Sequence, residues 1–298
     1  MGATSGPLAP SRRLRAEAAL LFTTFLWATT SVTGRWLVGE SYSVHLSEWL
    51  ILAVRFTIAS ALVLAWYPSS CRVRGHGGEW RISAWLGLLL GATFLTQLFG
   101  QRTIEATRSH FLTNLSVIIV PMMQVLILRR RPGRGALIGV ALAMAGLVLL
   151  TDPLRGRVVA GDGWTLVAAF AYSAYIIELQ RLGGRVELPR LLLGQFALIG
   201  LVCWAMALST GSLRALPEVT PSIWLLLLYL GVLCTFGATW LHNRFQRDTT
   251  PTRTALIFVS GPVMTFLLAW ALLGETLGLG QLLGAGLILG AILVTELL

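Results

Sequence analysis

The stretch TNLSVIIVPMMQVL, residues Thr113 to Leu126, sets Pro121 inside an unbroken apolar run. Proline has no N–H to donate, and its ring clashes with the carbonyl one turn back, so an apolar helix carrying it needs a reason. A second stretch, TALIFVSGPVMTFL from Thr254 to Leu267, repeats the phrase with Pro262 in the matching place. Laying Pro121 on Pro262 is an offset of 141 residues, and Thr113 then falls on Thr254 and Leu115 on Leu256. Further on, GALIGVAL (Gly135 to Leu142) lies over GQLLGAGL (Gly280 to Leu287) at an offset of 145. Earlier, FLWATT (Phe25 to Thr30) lies over FAYSAY (Phe170 to Tyr175), again at 145. Three blocks in one order, with small insertions between them, divide the chain into two repeats.

The composition says what medium those repeats occupy. The 298 residues are 55% hydrophobic and only 12% charged, with a mean hydropathy of +0.75. Soluble domains carry roughly 25% charge, so this chain lacks the polar surface to cover a water-soluble core. The net charge of +10 does not mark a nucleic-acid binder. All 23 basic residues are arginines set between apolar runs, whereas nucleic-acid contacts need them gathered on one solvated face. Cys71, Cys203 and Cys234 are odd in number and give neither a disulfide framework nor metal-ligand spacing. They read as small apolar residues, and neither metal nor cofactor is expected.

Ten apolar segments, near 16–38, 46–67, 82–101, 109–129, 135–151, 163–181, 190–209, 221–243, 252–273 and 279–298, approach the length that crosses a bilayer core of about 30 Å. The first is too long for a signal peptide and lacks a small-residue cleavage site. Arginine accumulates in short cytoplasmic loops. Counted alternately from the N-terminus, sixteen arginines fall on one side and five on the other, with Arg35 and Arg55 inside segments. Both termini are therefore expected in the cytoplasm. The expected fold is an all-α polytopic membrane protein of ten transmembrane helices in two inverted five-helix repeats. Residues 1–15 would form a cytoplasmic tail, 16–151 the first repeat and 152–298 the second. Five is odd, so the second copy enters from the opposite face, the plan of secondary transporters with a midplane site.

Four phrases then point to a family: FLWATTSVTGRW in the first segment, RFTIASALVL (Arg55 to Leu64) in the second, the Pro121 phrase, and GPVMTFLLAWALLGETLGLGQLLGAGLILGAILV (Gly261 to Val294). The chain resembles the drug/metabolite transporter superfamily, EamA-type, over nearly its whole length, and within it the bacterial amino-acid and metabolite exporters. The resemblance implies ten helices, cytoplasmic termini, a bacterial inner-membrane location and export of small metabolites, often amino acids or toxic compounds. One departure is visible. The family often repeats the Gly-Glu turn after the fourth helix, where this chain has RRRPGR, Arg129 to Arg134.

Polar residues inside spans are costly in lipid, so they usually face a bundle interior or a wet cavity. Trp27, Thr30, Ser31 and Gly34 share one helical face in the first segment. Thr93, Gln97 and Gln101 do so in the third, Thr113, Asn114 and Ser116 lie in the fourth, and Tyr172 and Tyr175 in the sixth. Thr235, Thr239, Trp240 and Asn243 follow in the eighth, Thr254 and Ser260 in the ninth. The expected substrate cavity takes Trp27, Thr30, Gln97, Thr113, Asn114, Ser116, Tyr172, Tyr175, Thr239, Trp240, Asn243 and Ser260. It is neutral, able to hydrogen-bond an ammonium and a carboxylate, with rings that hold a cation. Several of the hydroxyls have a second use, bonding the carbonyl one turn back. Pro121 and Pro262 are the expected hinges. Arg55 is read as structural, Glu178 as an ion partner of Arg181, and His242 as a weak sign of proton coupling. Gly-x-x-x-Gly spacings at Gly87, Gly135, Gly280 and Gly286 favour close helix packing, and the fifth and tenth segments are the least polar. The protein is then a monomer or a homodimer through those two helices, with the lipid bilayer and a small-molecule substrate as its partners.

Enzyme constellations such as G-x-S-x-G and H-E-x-x-H are missing from the sequence, and so are the charged rings of a channel. The expected function is export of amino acids or similar small zwitterions by alternating access. A multidrug exporter of cationic aromatic compounds is the alternative.

Overall fold

The computed structural model describes residues 10–38, 46–68, 77–101, 103–104, 106–151, 158–273 and 278–297, and the regular elements in them are all helical. In the first repeat these are α1 (Pro10–Val38), α2 (Glu48–Trp66), α3 (Gly77–Gln101), α4 (Ala106–Asn114), α5 (Ser116–Leu128) and α6 (Arg134–Thr151). In the second they are α7 (Ala160–Leu182), α8 (Leu188–Ser209), α9 (Pro221–Tyr229), α10 (Ala238–Phe245), α11 (Pro251–Phe258), α12 (Ser260–Leu273) and α13 (Leu279–Leu297). The side chains of Ser31, Gly34 and Gln101, residue Cys71 and the Gly274–Thr276 turn lie outside the described residues.

Seven helical stretches are long and apolar enough to cross a membrane: Glu48–Trp66, Gly77–Gly100, Arg108–Leu128, Arg134–Thr151, Leu188–Ser209, Pro221–Asp248 and Pro251–Leu268. A shorter apolar helix covers Leu279–Thr295. The other two long helices, α1 with 29 residues and α7 with 23, are less apolar. Their sequences explain it. Charged first turns and a run of hydroxyl and indole side chains replace part of the aliphatic surface.

Three expectations change. Residues 10–15, assigned to the tail, belong to α1, whose first position is Pro10; proline is favoured there because that N–H has no helical partner anyway. The fourth and ninth segments are each two helices. Leu115 interrupts the first pair, and its own N–H bonds back only three residues, to Leu112 at 3.2 Å. Val259 interrupts the second pair. The breaks therefore sit upstream of the prolines. Pro121 is the sixth residue of α5, while Pro262 is the third of α12, in a first turn where no N–H is required. Finally, the eighth segment is not a plain α-helix: α9 passes through a π-helical stretch, Leu230–Gly237, into α10.

Packing follows the repeat. α6 lies along α13 and α2 along α8, so each of these helices meets its own counterpart. α3 on α7 is matched by α1 on α10, α3 on α8 by the π-helical stretch on α2, and α5 on α7 by α12 on α1. The major packing pairs thus survive exchange of the two halves.

The α6–α13 contact is the closest in backbone terms. A Cβ added at Gly146 would stand 2.6 Å from the Gly284 carbonyl, and one at Gly284 would stand 2.6 Å from the Gly146 carbonyl. Gly286 and Gly290 instead face open space. The small-residue face at Gly146 and Gly284 is spent between α6 and α13 within one chain, while the Gly286–Gly290 face stays open. Gly146→Leu should therefore cost about 1–3 kcal/mol by overpacking, whereas Gly286→Leu should be near neutral. Thermal unfolding of the two variants in detergent checks this ordering.

Candidate functional site

Where α1 crosses α7, α10 and α11, five rings gather. Trp27 of α1 lies 6.3 Å from Tyr172, 5.7 Å from His242 and 5.2 Å from Phe258, centroid to centroid. Tyr172 and Tyr175, at 6.2 Å, stack nearly parallel, and His242 stands edge-on to Tyr175 at 5.6 Å and to Phe258 at 4.9 Å. These separations are those of offset and edge-to-face aromatic pairs. Trp27 and Tyr172 are repeat counterparts, 145 residues apart. Counterparts can touch only close to the axis that exchanges the halves, so the ring group sits on it.

Behind the rings is a neutral, fully buried hydrogen-bond set. The Tyr175 hydroxyl donates to Asn243 Oδ1 at 3.2 Å and to Gln195 Oε1 at 3.4 Å. Gln195 Nε2 donates to Asn243 Oδ1 at 3.4 Å, and Asn243 Nδ2 donates to the Thr239 carbonyl at 2.8 Å. Gln246 Nε2 donates to the Ile176 carbonyl at 2.6 Å, which turns its Oε1 toward His242 Nε2, also at 2.6 Å. The imidazole therefore carries its proton on Nε2. Two buried hydroxyls beside this group, those of Tyr172 and Thr254, have no hydrogen-bond partner among the described residues. Thr254 is one helical turn before Phe258, on the same side of α11. Leaving such a group unpaired costs about 1–3 kcal/mol.

Of the twelve sequence-derived cavity residues, Trp27, Tyr172, Tyr175, Thr239 and Asn243 come together here. The others do not. Thr30 bonds its own helix at Leu26, Asn114 at His110 and Ser260 at Ile257. Gln97 reaches Thr113 at 3.4 Å, joining α3 to α4. Ser116 is buried at the start of α5. Trp240 turns toward Phe245 and the Phe56–Phe196 cluster. Phe258, Gln195 and Gln246 complete the group without having been assigned to it. His242 had drawn notice only as a titratable residue.

Arg55, read from the sequence as structural, bonds within the bundle. Its Nε donates to Thr235 Oγ1 at 3.0 Å, and that hydroxyl donates to the Leu230 carbonyl five residues back, at 2.9 Å. The π-helical stretch thus takes up the Nε–H of the buried guanidinium. Glu178 and Arg181 form the expected local pair at 3.0 Å.

Ionic ties close each end of the bundle. At the end holding the start of α1, buried Glu17 meets Arg253 at 3.1 Å and Arg13 at 3.6 Å, and Asp248 meets Arg12 at 3.0 Å. Arg253 Nη2 also donates to the Thr295 carbonyl of α13 at 2.9 Å. At the other end, Arg108 of α4 grips Asp162 of α7 with two bonds, 2.7 and 2.9 Å. Among the described residues, no group of three His, Cys, Asp or Glu is arranged to hold a metal.

Residues 14–152 and 159–297 each match the EamA-like transporter family. The chain belongs to that family. The two matched stretches begin 145 residues apart, at 14 and 159, the offset seen between the outer sequence blocks. EamA-like proteins fall in the drug/metabolite transporter superfamily, and with its apolar helices this EamA-like chain is a multi-pass membrane protein. A solved crystal structure superposes with a TM-score of 0.77 at 17% identity, covering 95% of this chain and 98% of its own. At that identity the likeness is one of fold. No curated protein matches the sequence.

The buried polar set has a test of its own. Asn243→Leu removes the acceptor shared by Tyr175 and Gln195, strands the Gln195 amide N–H and leaves the Tyr175 hydroxyl only its longer bond to Gln195 Oε1, and should cost about 1–3 kcal/mol or more. Tyr175→Phe removes a donor and strands no donor of its own, so it should cost only about 0.5–1.5 kcal/mol. Thermal unfolding of the purified variants in detergent should rank them in that order.

Proposed function

We propose that this EamA-like protein is a secondary transporter that exports amino acids or similar small zwitterions across a bacterial inner membrane by alternating access. The reading has ten crossings in two inverted halves, with both termini cytoplasmic. One observation carries it. An uncharged layer of rings, amides and hydroxyls lies on the axis between the repeats, and two of its buried hydroxyls have no partner among the described residues. That chemistry suits a compact ligand carrying both a donor and an acceptor. The ring faces give specific support to the alternative, a cationic aromatic substrate held by cation–π attraction. That cation would have no carboxylate in the layer, since Glu178 is already paired with Arg181.

Tyr172→Phe separates binding from folding. The hydroxyl has no partner to lose, so stability should hold, while the transport KM should rise by about two- to tenfold if it bonds substrate. Uptake into proteoliposomes with a panel of labelled amino acids, against a cationic dye, decides between the two substrate classes. Movement of the dye alone would sink the amino-acid reading.

In alternating access the ionic ties at the two ends open in turn. Glu17→Gln weakens one tie and Asp162→Asn the other. They should shift cysteine labelling in opposite directions, one exposing the ring layer to the cytoplasm and the other to the outside. Cysteines near Arg130 should label from the cytoplasm and near Glu275 from outside, which checks the inverted topology. As hinge residues beside helix breaks, Pro121 and Pro262 should slow transport when replaced by Ala without unfolding the protein. Unchanged flux would reduce them to packing.

A further inference from the structure

Between α5 and α6 the chain reads Arg129-Arg130-Arg131-Pro132-Gly133-Arg134. All four arginines are exposed, and among the described residues none has a carboxylate in ion-pair range. This exposed positive charge is open to an anionic partner from outside the chain.

The turn is held in shape. Arg129 adopts the left-handed conformation with φ 53°, and its N–H closes on the Gln124 carbonyl. Gln124 Nε2 donates to the Arg130 carbonyl at 3.3 Å, while its Oε1 accepts from Thr252 N at 3.3 Å and from Thr252 Oγ1 at 3.0 Å. One buried amide therefore pins the arginine turn to the start of α11. Gly133 accepts from Leu137 N at 3.2 Å, so α6 starts here and its first N–H groups point back at the turn. A helix N-terminus flanked by guanidinium groups favours a phosphate. Immediately toward the membrane, Leu126 is 75% exposed and Leu137 52%, with Ile127 and Ile138 beside them. The site is thus a cationic rim above an aliphatic wall.

We propose that the Arg129–Arg134 turn binds the phosphate headgroup of an anionic phospholipid, whose acyl chains lie along the α5 and α6 surface. Free phosphate would use the rim alone, whereas a lipid also covers Leu126, Leu137, Ile127 and Ile138. The transporter reading above serves only to assign the leaflet, as the cytoplasmic one. Lipid binding is measured apart from transport, so either statement can fail without the other.

The test uses the full-length protein in a neutral detergent, titrated with phosphatidylglycerol or phosphatidylcholine and followed by native mass spectrometry and thermal shift. Phosphatidylglycerol should be retained and stabilise the protein, and phosphatidylcholine should do neither. Each arginine that meets the headgroup contributes about fivefold to such binding. R130Q/R131Q/R134Q should then weaken retention by roughly 100-fold, and replacing the same three by Lys should largely restore it. R15Q/R81Q/R185Q removes three exposed arginines elsewhere on the same face and should leave retention within about twofold. Equal losses in the two triple variants, or none in the first, would overturn the proposal. So would inorganic phosphate matching the lipid's thermal shift, which would make this a free-anion site. Should the triple variant fail to fold, Arg131→Gln alone should still show a loss of about fivefold.

Discussion

Hydrocarbon offers no hydrogen bonds, so every polar group in this bundle has to find its partner inside the protein. Most of them do so locally. Thr24, Thr57, Thr93, Thr96 and Ser173 each return a hydroxyl proton to the carbonyl one turn earlier. The longer-range bonds then become few and specific. Arg55 with Thr235, Tyr175 with Asn243, and Gln246 with Ile176 join helices that are distant in sequence. Among the buried polar atoms left without a partner in the described residues, the hydroxyls of Tyr172 and Thr254 are the ones that lie beside the ring group, and the proposed function assigns them to a ligand.

A second constraint comes from the repeat. Two copies of one arrangement, related by exchange, must place counterparts face to face wherever the axis passes. At α6 and α13 the approach is close enough to require Gly146 and Gly284, which makes this pair a rigid flank. At α1 and α7 the counterparts are Trp27 and Tyr172, large rings held by edge contacts. Ring contacts can slide and re-form more readily than interlocked backbones. The soft part of the axis is therefore the part lined by aromatic and polar groups, and the ionic ties lie at its two ends.

Much of this was legible in the primary structure, for identifiable reasons. The repeat could be read because both copies keep their apolar periodicity and their prolines. The positions of the spans follow from length and hydropathy, which depend on the medium and not on tertiary detail. Trp27, Tyr172, Tyr175 and Asn243 could be picked out because rings and an amide inside a span are expensive unless they face inward. Arg55 could be judged structural, but its partner could not be named. Thr235 is 180 residues away, and only the π-helical stretch turns its hydroxyl to the guanidinium. Gln124 gave no signal, since one amide near the end of an apolar helix looks like an interfacial residue until the turn after it folds back.

The hydroxyl-bearing candidates divide along the same line. Thr30, Asn114 and Ser260 have the residue types and spacing of cavity-lining groups, yet each is within reach of its own helix's carbonyls, and that bond formed. The prolines divide too: their presence marked two disturbed helices, while the breaks fell upstream of them, at Leu115 and Val259. By itself, then, the sequence determined the medium, the two repeats, the family and which helices carry polar groups, because all of these depend on composition and period along the chain. The tertiary structure alone decided which polar groups spend themselves locally and which five rings meet on the axis. That choice depends on the distance between side chains on different helices, and no periodicity along one helix encodes it.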